Sequence, residues 1–142
     1  MATFDPNKES LFRCIARLEN LARDGGLSTE KILTSQDVAK AGLEEKLKVT
    51  NIPPGFQKRM LPVFLDKAST FYISRGEAGT EVPEHSHDEG DGLRVILSGS
   101  IRYGDVELSE GDWMFLPAGQ KYSFVVGERG VTMFYCYSCC CA

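Results

Sequence analysis

Apolar residues in the first third of the chain recur at helical spacing. Leu11, Ile15, Leu18 and Leu21 follow one another at intervals of four and three, which lines one stripe of a helix. Gly25-Gly26 closes that segment, because glycine adopts the positive φ of a helix C-terminus without steric cost. A second helical stretch is expected from about Ser35, with Val38, Ala41 and Leu43 on one side and Glu44-Glu45-Lys46 exposed. Pro53-Pro54-Gly55 then breaks the pattern. From about residue 60 the texture changes to short β-branched and aromatic runs separated by Gly, Pro, Asp and Ser. Strands are expected at Thr70 to Ser74, Leu93 to Leu97, Ile101 to Tyr103, Val106 to Leu108, Trp113 to Leu116, Ser123 to Val126 and Val131 to Tyr137. Gly104-Asp105 reads as a hairpin turn. Many short strands with no helical pattern between them predict an antiparallel sandwich or barrel. Residues 1–55 are expected to form an N-terminal helical extension and residues 56–142 the barrel.

Composition narrows the function classes. With 142 residues the chain is large enough for one domain with a real core. A net charge of −4 argues against a nucleic-acid partner, whose phosphates demand a basic face. No apolar run approaches the roughly 18 residues that span a bilayer. Met1-Ala2-Thr3-Phe4-Asp5-Pro6 lacks the basic-then-apolar order of a secretory signal, so a soluble cytoplasmic protein without a membrane partner is expected. Cys14 sits in a helical pattern, while Cys136, Cys139, Cys140 and Cys141 crowd the end of the chain. That distribution suits reduced thiols rather than a disulfide framework. The tail reads as a frayed terminus, with Cys136 on the last strand and able to face a pocket.

The specific signal is a pair of spaced motifs. Gly79 is followed after five residues by His85-Ser86-His87, and Gly99 lies twelve residues further on. Gly111-Asp112 then leads through Trp113-Met114-Phe115-Leu116 to Pro117-Ala118-Gly119. In a strand, side chains at i and i+2 share a face, so His85 and His87 would point into one space. Two neutral imidazoles there suit a transition metal. Gly99 and Gly119 permit positive φ at the turns expected to close the barrel.

These residues, over about 70 to 137, resemble the two motifs of the cupin family. The resemblance implies an all-β fold, the cupin double-stranded β-helix barrel of jelly-roll type, and a homodimer. It further implies oxygenase, lyase or isomerase chemistry on a small organic molecule, with a divalent transition metal (Fe, Zn, Mn or Ni). The chain departs from the family pattern at two of the four ligand positions. The metal-binding glutamate of the family falls on Gly92, and its last histidine falls on Tyr122. With only two histidines in the chain, a third ligand would have to be a carboxylate, a phenolate or a thiolate. Glu89 keeps strand parity with His87, Asp91 would need a bulge to turn inward, and Glu81 precedes the pair.

Three readings therefore stand side by side. His85 and His87, completed by Glu89 or Asp91, are metal ligands of an enzyme, with Tyr122 as a pocket acid or orienting hydroxyl. Alternatively, Gly92 and Tyr122 mark a lost metal site in a non-catalytic binding or sensor cupin. In the third, a metal-free epimerase or cyclase uses a histidine as base and Tyr122 as acid. Arg94 and Arg102 are expected on the outer face in solvent; an inward one would hold a substrate carboxylate. Trp113, Phe115 and Phe124 are expected in the core or pocket wall.

Overall fold

A computed structural model of the chain describes residue 5, residues 8–50 and residues 52–138. Two compact units emerge. One comprises the chain up to Ser28 together with Gln36–Phe64; the other comprises Thr29–Ser35 and Leu65 onward.

The first unit is helical, as its spacing predicts. Helix α1 spans Leu11–Asp24 and buries Cys14, Leu18 and Ala22, four residues apart. Ser10 caps its start, the side-chain oxygen accepting from the Arg13 amide at 3.2 Å. Gly25 ends the helix in close contact with Leu43, and Gly26 takes φ +72°. Helix α2, Ser35–Lys40, buries Val38. Beyond a 3-10 turn at Glu45–Leu47, the chain runs extended, with Val49 N–H donating to the Lys58 carbonyl at 2.9 Å.

The second unit is a seven-stranded antiparallel sheet, rolled into a barrel. Its strands are β1 (Leu33–Thr34), β2 (Thr70–Gly76), β3 (Glu81–His85), β4 (Gly92–Tyr103), β5 (Val106–Ser109), β6 (Trp113–Leu116) and β7 (Tyr122–Tyr137). The main path runs β1-β6-β4-β7-β2, with β3 also on β7 and β5 also on β4. Thr29–Ser35 is tied in by more than the two-residue β1. The Ser35 hydroxyl donates to Asp112 Oδ1 at 2.7 Å and accepts from the Trp113 amide at 3.0 Å.

Two pairs of expected strands are each one long strand. Leu93–Leu97 and Ile101–Tyr103 merge into β4 through a bulge at Gly99, and the last two expected strands merge into β7. Gly99 has φ +74°, and an added Cβ there would lie 2.0 Å from the Gly130 carbonyl oxygen. It therefore marks a close backbone approach inside a strand, not the closing turn its spacing suggested. The bend lets β7 pair with β3 by its first half and with β2 by its second, β4 pairing with its other edge between Val125 and Tyr137. Ile96, Ile101, Leu108, Met114, Leu116, Phe124, Val126, Val131 and Met133 fill the interior. On the outer side, edge strand β2 presents Phe71 and Ile73, each 70% exposed.

Candidate functional site

Strand alternation selects the side chains that enter the barrel at one end. On β4, Gly92, Arg94 and Ile96 are buried while the residues between them are more exposed. On β7, Tyr122 and Tyr137 are inward and almost fully buried, at 2% and 0% exposure. His85 is the last residue of β3, paired with Tyr122, and His87 lies beyond the strand's end. The two histidines therefore do not meet through strand parity. They converge where the chain leaves β3, its backbone held by the Gly119 amide donating to the His87 carbonyl at 3.0 Å.

Both imidazoles meet one atom. The Tyr122 hydroxyl oxygen lies 3.1 Å from His85 Nε2 and 3.0 Å from His87 Nε2. The same oxygen accepts from Arg94 Nη2 at 3.2 Å and lies 3.0 Å from the Tyr137 hydroxyl. A phenol has one proton and two lone pairs, so four contacts exceed its capacity by one and must compete. The Pro83 carbonyl fixes part of the pattern. It can only accept, and it lies 2.8 Å from His85 Nδ1, so a neutral His85 carries its proton there. Its Nε2 lone pair then accepts from the Tyr122 O–H.

Arg94 sits at the base of the cluster with 6% exposure, which corrects its expected place on the outer face; Arg102 is exposed as expected. The Arg94 Nη2 donates to the Tyr137 hydroxyl at 2.6 Å as well as to Tyr122. The guanidinium lies 4.5 Å from the Tyr135 ring centroid and 5.1 Å from that of Phe124. His87 stacks on Tyr137 at 3.9 Å between centroids. Burial pushes the Tyr137 hydroxyl well above its ordinary value of 10.0, outweighing the lowering by Arg94. A phenol that stays protonated in the folded state but ionises when unfolded contributes stability that is fully present below pH 10.0 and is lost progressively as pH rises above it. Stability to denaturant is thus expected to decline as pH rises past about 10, and Tyr137→Phe to flatten that decline. Chemical unfolding at a series of pH values measures both slopes; equal slopes would remove Tyr137 as the cause.

The carboxylates lie elsewhere. Glu89 and Glu81 are exposed. The Asp91 carboxylate accepts from the Ala118 amide at 2.8 Å, which pins the two motif loops together. Position 92 explains why no glutamate stands there. A Cβ on Gly92 would lie 2.1 Å from Tyr137 Cδ1, so the tyrosine ring fills the space that a ligand side chain would need. Among the described residues, no group of three His, Cys, Asp or Glu side chains is disposed to hold a metal ion. The donors that do converge are two imidazoles and two phenols, with a guanidinium cation bonded to both phenols. That set does not fit a divalent ion, because it offers no anionic ligand and already holds a positive charge.

Cys136 is buried on the opposite face of β7 from Tyr135 and Tyr137, and so does not face the cluster. Burial also raises its thiol pKa. Cys139, Cys140 and Cys141 lie outside the described residues. Two open clefts, of about 670 and 470 Å3, lie around the exposed Arg102, and neither is lined by His85, His87, Arg94, Tyr122 or Tyr137.

The sequence profile of the ChrR cupin-like domain family matches residues 41–139. The chain belongs to this cupin family. None of the curated proteins matches it significantly. Among solved structures, it is similar to a cupin-like protein of unknown function from Ralstonia eutropha, with 18% identity, covering 52% of this chain and 49% of that one, at a TM-score of 0.46. An RmlC-like cupin of the same organism shows 21% identity, coverage of 51% and 48%, and a TM-score of 0.45. KdgF from Halomonas sp. shows 17% identity, coverage of 63% and 84%, and a TM-score of 0.46. The chain thus spans about half the length of the first two. Within the cupin motifs, Tyr122 and Gly92 stand at ligand positions. Tyr137 is the site residue that sequence reading missed, whereas Arg94 was considered there but placed on the outer face. The inward placement was within reach, since Arg94 lies two residues beyond a ligand position on one strand and so shares its face.

Proposed function

We propose that this cupin domain binds a small organic ligand without a metal, in the cluster formed by His85, His87, Tyr122, Tyr137 and Arg94. The observation that carries this reading is the Tyr122 hydroxyl, within 3.1 Å of both imidazole Nε2 atoms. A hydroxyl there ties together the two groups that an ion would otherwise share. The barrel end gathers the apolar rings of Phe124 and Tyr135 beside a few convergent polar groups, a lining that small-molecule sites use. Elemental analysis of the purified protein is expected to find no stoichiometric transition metal, and zinc titration no tight site. Tyr122→His, which returns the family's imidazole and removes the hydroxyl, is expected to gain zinc affinity. A stoichiometric ion that is lost in His85→Ala/His87→Ala would overturn the reading.

A metal-free isomerase or epimerase is the second reading, favoured by the tautomer of His85. Its Nε2 lone pair faces the Tyr122 hydroxyl, which sets a base beside an acid. Once a ligand is known, loss of turnover in His85→Gln and Tyr122→Phe with ligand affinity retained would choose this reading over a binding module.

A further inference from the structure

We propose that Arg94 anchors a small carboxylate, so that the ligand of this cupin is an organic monoanion seated beside Tyr122, Tyr137 and His87. The inference rests on the metal-free reading of the same cluster and names its ligand class. It starts from an imbalance. A guanidinium removed from water loses a large solvation free energy, and proteins normally return it through a carboxylate or a full set of hydrogen bonds. Arg94 has neither. Among the described residues no carboxylate pairs with it; the ion pairs found join Lys or Arg to Asp or Glu in the chain before residue 60. Its Nε–H is buried with no partner. Its Nη1 meets only the Met133 sulfur at 3.5 Å, a weak acceptor. Only Nη2 is well used, by the two phenols.

The rest of the cluster fits an anion and no other class as well. Beside the guanidinium, the Tyr137 hydroxyl can donate, as can whichever imidazole nitrogens carry protons. Among the described residues, no acidic side chain joins the cluster to repel a negative charge: Glu81 and Glu89 are exposed and Asp91 is bonded to the Ala118 amide. One guanidinium carries one positive charge, which matches a monoanion. A phosphate dianion would leave a negative charge buried without a counter-ion. The flanking Tyr135 and Phe124 rings add an apolar wall for the organic part of the ligand. His85 is half-buried while His87 and Arg94 are buried, so the side of the cluster nearest solvent is the one that carries His85. Charge-assisted hydrogen bonds in such surroundings are the strong ones, and they discriminate an acid from its amide although the two have nearly the same shape.

The test uses the full chain with its histidine and tyrosine rings labelled for NMR. Acetate and benzoate are titrated at constant ionic strength against acetamide, benzamide and inorganic phosphate. Saturable shifts of the His87 and Tyr137 rings are expected with the carboxylates, and affinity for benzoate is expected to exceed that for benzamide by about tenfold or more. Arg94→Met keeps an unbranched apolar stem without the guanidinium head, is expected to fold, and should lose roughly that same factor for the acid alone. If benzamide shifts the same rings with equal affinity, the pocket reading survives and the carboxylate assignment is overturned. Preference for phosphate would overturn the monoanion class. Absence of saturation with every probe would also overturn it, the metal-free reading then standing or falling on zinc titration. Should Arg94→Met fail to fold, the acid–amide comparison on the unaltered protein decides alone.

Discussion

Gly92→Ala is expected to destabilise the barrel by about 3 kcal/mol, although it adds a single methyl group. The methyl would sit 2.1 and 2.3 Å from two carbons of the Tyr137 ring and 3.1 Å from the Cys136 carbonyl oxygen. Rotating the ring gives no relief. Tyr137 has no exposed surface, its hydroxyl is held by Arg94 at 2.6 Å, and its face stacks on His87 at 3.9 Å. Either β4 and β7 must separate or the cluster must break. Gly92→Glu restores the residue type of the cupin motif and should be worse, since its longer side chain needs the same space. Scanning calorimetry should show the alanine variant melting roughly 10 °C below the wild type. Adding Tyr137→Ala opens a cavity that the new methyl at position 92 partly fills. The double variant should therefore be more stable than the sum of the two single losses by about 1 kcal/mol or more. A Gly92→Ala protein that melts with the wild type would show that the ring does not occupy this space.

Gly99→Ala is expected to cost as much or more, and its comparison with Gly119→Ala separates two kinds of cost. Both glycines belong to the cupin motifs and both have positive φ, +74° and +79°. An alanine at either incurs the conformational penalty of a left-handed backbone, about 1 kcal/mol. At Gly119 nothing lies within 4 Å of the added Cβ, so that penalty is the whole effect. At Gly99 the Cβ would also lie 2.0 Å from the Gly130 carbonyl oxygen and 2.8 Å from its carbon. Backbone cannot yield as a side-chain tip does, and the bulge that bends β4 against β7 would have to open. Gly99→Ala is therefore expected to lose roughly 3 kcal/mol or more, or to accumulate as insoluble protein. Denaturant unfolding of the two variants measures the gap; similar losses at both sites would refute the close approach.

Much of the fold was legible because its signals are local. The spacing of Leu11, Ile15, Leu18 and Leu21 marks α1 at Leu11–Asp24, and the β-branched runs mark the strands of the barrel. Where the reading erred, glycine was taken as an end when it was a bend. Gly99 and Gly130 interrupt sequence texture, yet the hydrogen-bond ladder continues past them, so β4 and β7 are longer than any run suggested. Strands β1 and β3 escaped notice because the first is two residues long and the second, Glu-Val-Pro-Glu-His, carries proline and charge.

By itself the sequence determined that this chain is a cupin, that two motif histidines survive, and that glycine and tyrosine stand at two ligand positions. Those facts depend only on residue identity and spacing. What the substitutions do was decided by tertiary structure. Gly92 and Tyr137 are 45 residues apart in sequence, so nothing local says that one is small because the other is large. Arg94 carries the same residue letter whether it faces solvent or the barrel, and the phase of β4 alone selects the interior. His87 reaches Tyr122 from beyond the end of a strand, a meeting that strand parity does not encode. Long-range packing is set by the shape of the space left when many strands close on one core, and that space exists only once the barrel has formed.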